Sequence, residues 1–327
     1  MRVLVTGATG FTGSHLVRHL ARAGHDVKAL VRPAAANAPW MKHVRAEPVV
    51  GDLLDAESLK RAVEGVDVVY NIAALYREAG RPASEYRAVN ALAVGQIVEL
   101  AKAAGAKRVV HCSTVGVHGD IEHPPANEDA PLRPGDVYQD TKLEGETLGR
   151  ETAARVGMDL VIARPSGIYG PHDRRLFKVF GKIAQRRFVM LGTGTNYYHV
   201  TYIDDLCEGF MLCGSVPAAA GRTYILAGAE VTTLRQLVDI TADVAKVPPP
   251  PSRFPVWPVW VAGALCEAVC VPFGISPPLY RRRVDFFRKS RAFDISRAEQ
   301  ELGFRPRVGV REGIGRTLEW YREQGWI

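Results

Sequence analysis

Short apolar runs alternate with longer amphipathic stretches through the first half of the chain. Strand-like runs fall at Arg2–Thr6, Val27–Val31, Pro48–Val50, Asp67–Ile72, Arg108–Cys112 and Asp159–Ala163. Between most of them lie helical patterns: Phe11–Ala23, stopped by Gly24, then Ala56–Glu64, Tyr86–Ala104 and Tyr138–Val156. Strands that are apolar almost throughout, rather than at every second position, belong in a parallel sheet covered on both faces. Past Pro165 the alternation fails, prolines and glycines become dense, and Pro248–Pro251 predicts a stiff polyproline spacer. The pattern predicts an α/β fold. Its first domain, 1–165, has a returning segment near 195–230, and an interleaved, smaller and mostly helical domain covers 166–327. No internal repeat or long low-complexity tract is visible.

Composition changes this picture little. The chain has 327 residues, 47% hydrophobic and 24% charged, which is ordinary globular usage. Its net charge of +7 is scattered, except for Arg281, Arg282, Arg283, Arg288, Lys289 and Arg291. No stripe of basic and aromatic residues points to nucleic acid. The 5 cysteines lack the spacing of a zinc or redox motif, so no metal is expected. Cys266 and Cys270, four apart in an apolar stretch, read as buried helix packing. Met1 leads straight into a strand without a leader pattern, so a reducing, cytoplasmic compartment is the expectation.

Candidate chemistry sharpens it. Thr6-Gly7-Ala8-Thr9-Gly10-Phe11-Thr12-Gly13 joins the first strand to the first helix. Glycines at 7, 10 and 13 permit a tight turn, close approach to a pyrophosphate and close helix–strand packing. The free N–H groups at the helix start favour its charge. Tyr138 and Lys142, four apart, share one face of a predicted helix. That helix follows the strand ending His111-Cys112-Ser113-Thr114.

The spacing Gly-x-x-Gly-x-x-Gly resembles that of the extended short-chain dehydrogenase/reductase family, of the NAD-dependent epimerase/dehydratase type. Asp52 and Leu53 resemble its adenine contact, and Asn71-Ile72-Ala73-Ala74 its Asn/His-x-Ala-Ala motif. Asn90 resembles its structural helix asparagine. Ser113 to Gly119 resembles its Ser-Ser-x-x-x-Tyr-Gly stretch, with His118 in place of the tyrosine. The likeness implies that Thr114 is the catalytic hydroxyl, with Ser113 assisting. It also implies that Pro165, Gly167 and Ile168 contact the nicotinamide. Hydride transfer to a carbonyl leaves an alkoxide that needs a proton. A free tyrosine, with a pKa near 10, becomes a usable donor and acceptor when an ammonium and an oxidised nicotinamide stand beside it.

An acid at the end of the second strand would hold ribose hydroxyls and indicate NAD(H). Here Val31 and Arg32 stand there instead, and an arginine suits a 2′-phosphate, so NADP(H) is preferred over NAD(H). Two family arginines that grip sugar-nucleotide diphosphates have no counterpart at Tyr198-His199-Val200 or across Phe287–Asp294. The likeness therefore leans to the hydroxysteroid dehydrogenase and dihydroflavonol reductase branch. It implies a small-molecule alcohol or ketone with an apolar, steroid-, flavonoid- or acyl-like body, in a mostly apolar pocket. Tyr169, Tyr198 and Trp257–Val271 would wall that pocket. The alternative is a nucleotide-sugar epimerase or dehydratase with tightly bound NAD, for which Arg281–Arg283 offer another route to a diphosphate grip. Trp257–Val271 is apolar apart from Glu267. It is too short to span a bilayer and reads first as core, with a cleft wall or a peripheral membrane contact as the alternatives. A homodimer is the expected assembly.

Overall fold

The structure is a computed structural model that describes residues 1–36, 44–78, 80–270, 273, 275 and 277–327. The side chains of Ser252, Arg253, Arg282 and Arg283 lie outside that description.

Strand β1 (Arg2–Thr6) runs into helix α1 (Phe11–Arg22), and β2 (Asp26–Val31) and β3 (Ala46–Val50) follow. Next come α2 (Ala56–Val63) and β4 (Val68–Asn71). Then α3 (Ala83–Arg87), a π-turn (Ala88–Leu92) and α4 (Ala93–Ala103) lead to β5 (Arg108–Cys112), α5 (Val137–Val156) and β6 (Asp159–Pro165). These strands and β10 (Thr223–Leu226) form one 7-stranded sheet in the order β10-β6-β5-β4-β1-β2-β3. Every neighbouring pair is parallel. Such sheets need both faces covered, and the buried Val3, Leu4, Val5, Val69, Val109 and Val110 show that they are. The strand order reverses between β1 and β4. The crevice beyond their carboxyl ends is where open α/β sheets bind ligands.

The expected helix Tyr86–Ala104 is broken by the π-turn. Within it Asn90 is fully buried, its amide donating to the Leu75 carbonyl (3.0 Å) and to Thr141 Oγ1 (3.2 Å). Its Oδ1 accepts from the Leu75 N–H (2.9 Å). One side chain thus ties the loop after β4 to α5. The π-turn is the local cost of placing it there.

The rest of the chain builds a cap on the sheet's carboxyl edge. β7 (Gly167–Tyr169) pairs with β9 (Val200–Tyr202), and β8 (Met190–Leu191) with β11 (Ser252–Phe254). Helices α6 (Phe180–Ala184), α8 (Leu234–Ala245) and α12 (Val310–Glu323) pack together. α7 (Ile203–Ser215) returns to cover the sheet beside α1, just before β10 joins the sheet edge. α9 (Val256–Cys270), α10 (Arg281–Val284) and α11 (Ser296–Leu302) complete the described helices.

α9 overturns an expectation. It is not core, because Gly263 is its only buried residue, and Trp257 and Leu265 are 70% and 64% exposed. Cys266 and Cys270 are half-buried rather than packed away. Val271 lies outside the described residues. No described helix is long and apolar enough to cross a membrane.

A buried ion pair locks α5 to β6. Arg164 and Glu146 are 3% and 2% exposed, and their fork closes at 2.9 and 2.6 Å. Ser113 Oγ donates to the same carboxylate (2.5 Å), and Arg164 also reaches the Glu128 carbonyl (3.1 Å) and His118 Nε2 (3.1 Å). His118, placed where the family carries tyrosine, accepts that bond as a neutral ring. Burial and the Arg164 charge pull its pKa down to about 4. The Arg164 pair and the Ser113 bond hold the Glu146 carboxyl below its ordinary 4.5, against the effect of burial. A lowered folded value means its stabilisation is present above about pH 4.5 and is lost as pH falls through that folded value. Glu146→Ala, which strands a buried guanidinium, should cost about 3–5 kcal/mol in denaturant unfolding at neutral pH. A loss below about 1 kcal/mol would show that the pair does not hold the two elements together.

Candidate active site

The loops at the carboxyl edge enclose one continuous cavity of about 660 Å³, running from the glycine turn after β1 to Tyr198 before β9. Gly7, Thr9, Gly10, Phe11, Thr12 and Gly13 form one end, with Arg32, Asp52 and Leu53 beside them. Ala73, Ala74, Ser113, Thr114, Tyr138, Pro165, Gly167 and Ile168 line the middle.

The glycine turn is built for close approach. Gly7 has φ +65°, and a Cβ on it would sit 2.8 Å from the Ala73 backbone. A Cβ on Gly13 would meet the Gly7 carbonyl oxygen at 2.2 Å. Gly10 caps α1 without any side-chain acceptor, so the first-turn N–H groups border the cavity uncapped by the chain itself. This backbone cradle and the cavity volume fit a dinucleotide, with its pyrophosphate over the start of α1.

α5 begins on the Asp136 cap, whose Oδ1 accepts from the Gln139 N–H (2.9 Å). Its first turn presents Tyr138 to the cavity, while Lys142, one turn later, is 1% exposed beneath the cavity floor. The ammonium donates to the Cys112 carbonyl (2.5 Å) and lies 3.4 Å from His111 Nε2. Burial lowers the Lys142 pKa from 10.5, while Cys112 and Glu146 pull it back up. Burial and the Lys142 charge together hold His111 neutral. The Tyr138 ring stands edge-on to Tyr76 at 4.9 Å. Burial drives its pKa upward from 10, and the guanidiniums of Arg77 and Arg175 oppose that rise. Thr114 Oγ1 accepts from the Gly116 N–H (3.0 Å), which leaves the hydroxyl hydrogen to donate elsewhere.

Three expectations need correction. The Ser113 hydroxyl is spent on Glu146, so it cannot assist at a substrate oxygen. Tyr169 is core: it packs against Phe180 and Tyr202, its ring centroids 5.7 and 5.6 Å away. Neighbouring strand side chains point to opposite faces, so Ile168 faces the cavity and Tyr169 faces away. Nor is α9 a cavity wall, because none of its described residues lines it.

The pocket is also more charged than expected. Arg77, Glu78, Arg81, Arg175 and Arg291 line it along with Tyr76 and Tyr198. Arg291 belongs to the basic cluster visible in the sequence. Nothing in the sequence pointed to Arg77 or Arg175, which lie on the loops after β4 and β7. Arg281, offered as a diphosphate grip, instead binds Glu267 (2.7 Å), and the side chains of Arg282 and Arg283 lie outside the described residues.

Residues 3–227 match the NAD dependent epimerase/dehydratase family. The chain belongs to that family. A putative dihydroflavonol 4-reductase of Synechocystis sp. is 30% identical, over 99% of this chain and 95% of its own length. A 2-alkyl-3-oxoalkanoate reductase of Stenotrophomonas maltophilia is 27% identical, over 97% and 98%. Among solved structures, the dTDP-glucose 4,6-dehydratase DesIV of Streptomyces venezuelae, with NAD bound, superposes with a TM-score of 0.77. It is 28% identical over 100% of this chain and 98% of its own. The similar proteins thus include reductases and a sugar-nucleotide enzyme.

Proposed function

We propose that the protein is an NADP(H)-dependent oxidoreductase that interconverts a secondary alcohol and a ketone on a substrate with an acyl or other apolar body. The observation that carries this reading is the pairing of Tyr138, facing the cavity, with the buried Lys142 ammonium one helical turn away. When bound, the dinucleotide supplies or takes up the hydride and, in its oxidised form, brings a positive charge beside the phenol. The chain's own groups handle the proton. Thr114 donates a hydrogen bond to the substrate oxygen, and Tyr138 gives that oxygen its proton in reduction or takes it in oxidation. Burial keeps the free phenol protonated, ready to donate. The Arg77 and Arg175 charges oppose the rise that burial causes, and the positive charge of an oxidised nicotinamide would lower the pKa further toward the range that reversible transfer needs.

The cofactor preference rests on Arg32, exposed on the cavity rim where β2 ends. No carboxylate stands at Val31, so a guanidinium, not an acid, would meet the adenosine ribose there. Relatives named for dihydroflavonol and 3-oxoalkanoate substrates support the carbonyl chemistry.

Tyr138→Phe should lower turnover by a factor of about 10² or more while dinucleotide affinity, read by fluorescence titration, stays near that of the parent. Turnover within a few-fold of the parent would remove Tyr138 from the reaction. Arg32→Ala should weaken NADPH by about 10-fold or more relative to NADH, since only NADPH offers the extra phosphate. Equal losses for both cofactors, or a parent that already prefers NADH, would place the selectivity elsewhere.

A further inference from the structure

Arg77 and Arg291 approach Tyr198 at the end of the cavity away from the glycine turn. Arg291 is tied to Tyr198 through the backbone, since these two residues form a β-bridge. Arg77 lies over Tyr76 and Tyr138, its Cζ 5.5 and 5.6 Å from their ring centroids. Arg175 lies nearer the glycine turn, its Cζ 5.3 Å from the Tyr76 ring centroid and 5.4 Å from that of Phe11.

Their compensation is uneven. Arg77 is met by Asp136 (2.8 Å), Arg175 by Asp173 (3.2 Å), and Arg81 by Glu78 and Glu85 (3.2 and 2.9 Å). No carboxylate meets the Arg291 side chain among the described residues, which leaves that guanidinium's donors for a ligand. Two polar atoms are also left over. Arg77 Nε and Ser166 Oγ are buried without a hydrogen-bond partner, and both residues line this cavity. Buried polar groups are normally paired, so an orphaned donor on a cavity wall marks a place for a ligand acceptor. Arg77 also holds φ +43°, a conformation that side-chain-bearing residues rarely adopt and that gathers at ligand clamps.

We infer that this end of the cavity is a subsite for a single carboxylate on the substrate, held by Arg291 and the free Nε edge of Arg77. The inference rests on the redox reading above and narrows its substrate to an oxo or hydroxy acid with an apolar body. One guanidinium without a carboxylate partner matches one carboxylate. A nucleotide diphosphate brings more negative charge than one free guanidinium meets, and it would face Glu78 on the same wall. A guanidinium's flat fork of donors is shaped for a carboxylate's two oxygens. The rings of Tyr76, Tyr138 and Tyr198 supply apolar surface for the rest of the molecule.

The test separates binding from chemistry. Tyr138→Phe protein loaded with NADPH is titrated with 3-oxodecanoate, with its methyl ester and with UDP, at low and high salt. The acid should bind about 10- to 100-fold more tightly than the ester, the usual worth of a charge-assisted contact, and salt should erode the difference. Adding Arg291→Gln should bring the ratio of acid to ester near one, and Arg291→Lys should restore part of it. Equal binding of acid and ester, no binding of either, or tighter binding of UDP than of the acid would overturn the subsite. The redox reading fails separately, if the acid is preferred in binding yet the parent does not oxidise NADPH with it.

Discussion

A buried ammonium organises this protein. Lys142 sits beneath the cavity floor with almost no exposure, and its charge is carried by the Cys112 carbonyl at the end of β5. An isolated charge in such a place would be very costly, so the backbone at the strand's end must be held where it can accept. The neighbouring groups follow from that requirement. His111 stays neutral beside the lysine, and Asn71 Nδ2 lies 3.2 Å from its far ring nitrogen. Asn71 Oδ1 in turn accepts from Thr6 (2.7 Å), whose oxygen receives the Ala73 N–H (3.1 Å). A line of hydrogen bonds thus joins the helix that presents Tyr138 to the ends of β5, β4 and β1. The glycine turn starts at the last of these.

The second layer of constraint lies behind that line. Glu146, one turn beyond Lys142, is clamped by Arg164 and Ser113, so α5 is fixed at two successive turns against β5 and β6. Asn90 fixes the other side of α5 through Thr141 and places the loop that carries Tyr76 and Arg77. Catalytic geometry needs such over-determination, because a small misplacement of a proton donor is costly in rate. The arginines above the floor then give the cavity its chemical character, and Arg291 is the one that no carboxylate meets among the described residues.

Much of this was legible in the sequence, and the reasons it was not all legible are physical. β1, β5 and α5 were readable because periodicity, glycine spacing and the Tyr138–Lys142 interval are all local properties. Tyr169 was misread because family likeness marks a segment, while strand alternation decides which of its residues faces the ligand. Ser113 was misread because its partner, Glu146, is far along the chain and its burial shows only after folding. Arg77, Arg175 and Arg291 come from three separate segments and meet only in three dimensions. α9 is apolar with little periodicity, and such a pattern does not by itself distinguish core from surface. The structure puts Trp257, Val261, Leu265 and Val269 outside.

The account's central claim is that burial holds Tyr138 protonated in the free protein and that cationic charge around the site makes it a usable acid and base. The direct measurement is a near-ultraviolet tyrosinate titration of the parent minus that of Tyr138→Phe, with and without saturating NADP⁺. The account predicts no ionisation of Tyr138 up to its ordinary value of 10 in the free protein, and a clear downward shift once the cofactor is bound. A phenol that ionises below 10 without cofactor, or one that titrates identically with and without it, would contradict the account.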